Sequence, residues 1–160
     1  MSLQETVNAD IEALVLAEDW PALRAYFAFY DSLEQLACKV VSWGRFFLPT
    51  FLRDATPDFH YELIRRFFAP RNEYTACPRG FGKTTINQLC ICYSVAHKMD
   101  TFIVVVEKSF TEAAEVIAVP RDQFSTNGMI RQVYGELVKK NDSGVFDDKN
   151  KDAQGDVFIN

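Results

Sequence analysis

The sequence is short of the residues that staple small folds. Only four cysteines, Cys38, Cys77, Cys90 and Cys92, stand in 160 residues, with no Cys-x-x-Cys pair and no histidine at zinc-ligand spacing. A disulfide scaffold and a zinc module are therefore excluded, and the thiols are expected as small core residues in a reducing compartment. Long hydrophobic runs are also missing. The longest, Ala25 to Tyr30, has six residues, far below the ~18 that mark a membrane span. Met1-Ser2-Leu3-Gln4-Glu5 lacks the basic stretch that opens a signal peptide. No internal repeat is present, and no Asp-Glu pair occurs anywhere.

What remains is the composition of a folded domain. Hydrophobic residues make up 48% and aromatics 14%, with 14 phenylalanines, which excludes a disordered chain. The length suits one domain with a core of its own. A net charge of -5 excludes a protein that grips nucleic acid over its whole surface. The charge is uneven, however. Residues 1–60 carry 4 basic and 9 acidic side chains, residues 61–100 carry 6 and 3, and residues 101–160 carry 7 and 10.

Helices are expected first. Asp19 before Trp20-Pro21 is a helix start, and Asp31-Ser32-Leu33-Glu34 resembles a capping box. After it Leu33, Leu36, Ala37, Val40 and Val41 recur on one face as far as Gly44. Asp58 is placed to cap a helix carrying Phe59, Leu63 and Phe67, which Pro70 stops. From residue 72 the pattern changes. Asn72 to Cys77 is predicted as a short strand, Pro78 to Gly82 as a turn, and Lys83 to Met99 as a helix with Ile86, Leu89, Cys90 and Tyr93 on one stripe. The β-branched run Phe102 to Val106 predicts a strand buried on both faces. Ser109-Phe110-Thr111-Glu112 opens a helix that Pro120 bends or ends, and a last helix follows Asn127-Gly128 through Ile130, Val133, Tyr134 and Leu137. Strand, helix, strand and helix in this order predict a parallel βαβ unit. Asp156 to Asn160 starts as another strand, so the chain is expected to be part of a longer protein.

The chemistry-bearing stretch is Cys77-Pro78-Arg79-Gly80-Phe81-Gly82-Lys83-Thr84-Thr85. A phosphate-binding loop needs a strand feeding a tight turn whose backbone N–H groups wrap an anion, with a helix N-terminus behind them, and here an apolar stretch predicted as a strand precedes the turn and a helix begins at the lysine. Gly82 lets the backbone approach the phosphate, Lys83 supplies a cation, and the Thr84 hydroxyl is placed for Mg²⁺. The first glycine of G-x-x-x-x-G-K-[ST] is Cys77 here. The competing account is a β-turn with Thr84 capping a helix and Lys83 in solvent.

At Arg79-Gly80-Phe81-Gly82-Lys83-Thr84 the sequence resembles the N-terminal ATPase domain of large terminase subunits, the DNA-packaging motors of tailed bacteriophages. Trp43 to Pro49 and Phe59 to Leu63 are similar to the aromatic-rich approach to that loop, and the similarity runs from about residue 40 to residue 137. The resemblance implies an α/β fold with a P-loop NTPase-like parallel sheet flanked by helices, incomplete and preceded by a helical segment. The divisions would be residues 1–45, helical, and residues 46–160, a partial ATPase domain that stops before its Asp-Glu strand. It implies ATP and Mg²⁺ as cofactors, with Pro78, Arg79, Gly80, Phe81, Gly82, Lys83, Thr84 and Thr85 around the phosphates. Lys83 and Arg79 would act at the γ-phosphate and Thr84 on the metal. His60, 23 residues before Lys83, falls where related ATPases place an adenine-reading glutamine; the other account of His60 is a solvent-facing helix residue.

The partners implied are duplex DNA, a portal, a small terminase subunit and copies of the chain in a ring, in the host cytoplasm at the procapsid and with no membrane. Glu107 ends the Phe102 to Val106 run and imitates a catalytic carboxylate, but on the strand directly after the loop helix rather than a later one. Asp148, Asn150 and Asp152 have calcium-loop spacing with Ala153 and Ile159 at the sixth and twelfth positions, which predicts a solvated loop. Two other functions fit the same residues: a helicase-like P-loop ATPase, and a non-catalytic assembly module docking a partner through residues 8–43.

Overall fold

The computed structural model describes residues 2–53, 55–70, 76–99 and 103–137. Seven helices carry 69% of these residues, and none of them lies in a strand. The helices are α1 (Leu3–Leu16), α2 (Trp20–Ala28), α3 (Leu33–Phe47), α4 (Asp58–Phe67), α5 (Lys83–His97), α6 (Phe110–Thr126) and α7 (Gly128–Tyr134).

Most of the starts follow local chemistry. Ser2 and Glu5 form a capping box on α1. Asp19 accepts from the Ala22 N–H on α2, Ser32 from Gln35 on α3 and Ser109 from Glu112 on α6. Each satisfies a backbone donor that a helix start leaves unpaired. On α7 Asn127 accepts from both Met129 and Ile130, while its own Nδ2–H donates to the Phe47 carbonyl at 2.6 Å and so ties the α6–α7 corner to the end of α3. One expectation differs in detail. Asp58 is the first residue of α4 and gives no cap, since Pro57 occupies that position. Of the two outcomes open at Pro120, bending or ending the helix, ending does not occur, and α6 runs through it to Thr126.

The core is built around α3 and α5. α3 packs against α1, α2, α4 and α5, and α5 packs against α2, α3, α4 and α6. Trp43, Tyr93, Phe27 and Phe47 are its largest fully buried side chains, with the Trp43 and Phe47 rings 5.0 Å apart and Trp43 edge-on to Tyr93 at 5.8 Å. Lys39 is buried as well. Its Nζ donates to the carbonyls of Tyr26 and Phe29 at 2.5 and 2.6 Å and lies 3.9 Å from the Tyr26 ring centroid, so a cation satisfies the C-terminal end of α2. Cys38, Cys90 and Cys92 are buried, and burial pushes the Cys92 thiol up to about 12. No helix among the described residues is long and apolar enough to cross a membrane.

The parallel sheet of a P-loop α/β fold is therefore corrected to a helical assembly. Within the expected strand Asn72 to Cys77, residues 72–75 lie outside the described residues, and Ala76 and Cys77 have no strand pairing. Residues 103–107 are likewise irregular. Ile103 and Val105 pack against the core, whereas Val104 and Val106 are 63% and 84% exposed, so the run is not buried on both faces. α5 shows the physical reason. A helix lying on a sheet buries one stripe, but every residue from Leu89 to Ala96 is buried, because other helices surround it. The expected strand Asp156 to Asn160 and the Asp148 to Asp152 segment lie outside the described residues.

Candidate phosphate-binding site

The loop Cys77 to Gly82 leads directly into α5. Gly80 and Gly82 both have positive φ, +82° and +70°, a region open to glycine at little cost. Gly82 is the N-cap of α5 in left-handed geometry and contributes no side-chain cap. The first helical hydrogen bond runs from the Ile86 N–H to the Gly82 carbonyl at 2.9 Å. The N–H groups of Lys83, Thr84 and Thr85 thus precede the helical ladder and face the end of the helix. A positive dipole end adds to them.

Lys83 sits on the first turn with its chain folded back across the loop, and its Nζ donates to the Cys77 carbonyl at 2.5 Å. Thr84 is exposed and Thr85 half-buried, while Pro78, Arg79 and Gly80 are exposed. Phe81 keeps 44% of its surface in solvent. The eight loop residues singled out by sequence are contiguous, and His60 joins them from α4.

His60 is not solvent-facing alone. Its Nε2 lies 3.0 Å from the Phe81 carbonyl oxygen, and its Nδ1 is buried without a hydrogen-bond partner among the described residues. The Phe59 and Phe81 rings are 5.2 Å apart. A Cβ built at Gly82 would come within 3.2 Å of His60 Nε2, so α4 and the loop are in close contact. Two residues further along α4, Glu62 pairs with Arg65 at 2.8 Å and Arg66 at 2.7 Å, and these hydrogen bonds hold its carboxyl below the usual carboxylate range. Phe59 and the Cys77 carbonyl were not legible as parts of the site. Nothing in the sequence marks a contact between an aromatic on α4 and one in the loop before α5, and a backbone oxygen carries no residue signature.

Glu107 is exposed in the irregular segment before α6. Among the described residues no group of three His, Cys, Asp or Glu side chains is placed to hold a metal ion. The Thr84 hydroxyl has the hard oxygen chemistry that Mg²⁺ takes, as one ligand beside phosphate oxygens and water. Compared with known proteins, the chain matches no protein-family model, no curated protein and no solved structure.

Proposed function

We propose that this chain binds the polyphosphate of ATP with Mg²⁺ on the loop Cys77 to Thr85, as the nucleotide-binding part of a large-terminase-type motor that moves duplex DNA into a procapsid. One observation carries the reading: two glycines with positive φ lead into a helix whose N-cap supplies no side-chain acceptor. Backbone donors that precede the helical ladder, the Lys83 ammonium and the Thr84 hydroxyl belong to this one helix start, a combination suited to an anion. No strand feeds the loop among the described residues; its contacts from outside are with α4, through His60 and Phe59.

Binding requires Lys83 to exchange the Cys77 carbonyl for phosphate oxygens. Arg79, exposed on the same loop, adds a second cation within the segment. Thr84 would hold Mg²⁺ carried in with the nucleotide, and that ion neutralises phosphate charge. Coupling to DNA, a portal and neighbouring copies rests on the terminase resemblance. Calorimetric titration of Mg-ATP into wild type and Lys83→Ala tests the reading; equal heats and affinities in both would remove it.

A non-catalytic assembly module is the second reading, favoured by the exposure of Leu16 on α1 and Phe29 after α2. Hydrolysis of ATP by this chain alone would exclude it.

A further inference from the structure

We propose that His60 is a positioning residue that sets the phosphate loop for any polyphosphate ligand, a role that rests on the phosphate-binding reading above. A carbonyl oxygen only accepts, so the 3.0 Å contact to Phe81 requires His60 Nε2 to carry the proton and donate it. The loop peptides are trans. In a trans peptide the carbonyl and the following N–H point in opposite directions. Holding the Phe81 carbonyl toward α4 therefore turns the Gly82 N–H away from α4 and fixes the peptide that leads into α5.

Phe81 is gripped twice, its carbonyl by His60 and its ring by Phe59 at 5.2 Å. The imidazole seats directly against Gly82, where a Cβ would approach Nε2 to 3.2 Å. Both ring nitrogens are thereby withdrawn from a nucleobase. Nε2 is engaged with the backbone, and Nδ1 is buried with no hydrogen-bond partner among the described residues. A base-reading side chain needs a nitrogen presented to the ligand; a loop-setting one needs the geometry seen here.

The test uses the full chain and three ligands, Mg-ATP, Mg-GTP and Mg-tripolyphosphate, the last having no base. His60→Ala is expected to weaken all three by the same factor, about tenfold, the scale of one lost hydrogen bond. His60→Gln reaches as far as Nε2 with an amide N–H and is expected to restore most of the affinity. His60→Asn is too short and should behave as His60→Ala. In the free proteins, the carbonyl carbon resonance of Phe81, which reports the hydrogen bond that this carbonyl accepts, should shift in the Ala and Asn variants and stay near the wild-type value in the Gln variant. That measurement also decides the matter if a variant binds nothing. A loss confined to Mg-ATP would make His60 a base reader and overturn the proposal, as would unchanged binding of all three ligands by His60→Ala. Wild-type protein that binds none of the three would overturn the functional reading as well.

Discussion

The indole N–H of Trp43 donates to the Tyr134 hydroxyl at 2.9 Å, and that hydroxyl lies 3.1 Å from His97 Nε2, so α3, α5 and α7 meet at one oxygen. Having accepted from Trp43, the hydroxyl has its single proton left for His97 Nε2. His97 is thus held as the neutral imidazole. Burial, assisted by the Lys39 ammonium, lowers its pKa from 6.5 to about 4.

A pH dependence of stability follows. The unfolded chain takes up a proton on His97 near pH 6.5 and the folded protein only near 4. Above 6.5 both states are neutral and the full stability is present. As pH falls from 6.5 to 4 the unfolded state binds more protons, and stability declines by roughly 3 kcal/mol. Urea unfolding of wild type and His97→Gln across this range checks it; the Gln variant should show a flatter profile, and parallel profiles would count against the assignment.

Gly44 is expected to be intolerant of a side chain. A Cβ there would come within 2.7 Å of Leu89 Cδ1 and 3.1 Å of Leu52 Cδ1 where α3 meets α5. Leu89 is fully buried and has little room to retreat. Overpacking of this kind costs about 1–3 kcal/mol, against a helix-propensity gain of about 0.5–1 kcal/mol. Gly44→Ala should therefore lower the urea midpoint, and Gly44→Val should lower it further.

Lys83→Ala should reduce Mg-ATP affinity about 10- to 100-fold, the range for charge-assisted hydrogen bonds. Lys83 is half-buried and its ammonium donates to the Cys77 carbonyl, so the thermal midpoint is expected to stay near wild type. A drop in midpoint matching the loss of binding would point to folding instead of ligand contact.

Thr84→Ala should weaken ATP binding in the presence of Mg²⁺ and leave binding in EDTA nearly unchanged, because the hydroxyl is exposed at the helix start and is proposed to act on the metal. Titrations with and without EDTA measure the difference. Equal losses in both would remove the metal role.

Steady-state hydrolysis by this chain alone is expected to be close to background. A positioned general base contributes ~10² to 10⁴-fold, and Glu107, the nearest sequence imitation of one, stands exposed in an irregular segment. Phosphate release at saturating Mg-ATP should be the same for wild type and Glu107→Gln. Robust turnover lost in that variant would identify Glu107 as the base.

Local chemistry was legible without coordinates. Asp19, Ser32 and Ser109 start helices because a short polar side chain satisfies donors two or three residues away, and such contacts are written in adjacent positions. The turn at Gly80 and Gly82 and the helix start at Lys83 were legible for the same reason. Glycine adopts positive φ wherever a turn asks for it, and the helix begins at the lysine. Partnership between distant segments was not legible. Residues 103–106 are β-branched or apolar enough for a strand, but a strand exists only when another pairs with it, and here α5 is enclosed by helices. His60 likewise could be matched by spacing to a base-reading position, yet its hydrogen-bond partner is a carbonyl 21 residues away. Backbone oxygens have no residue identity, so only the packing of α4 against the loop decided what that ring holds.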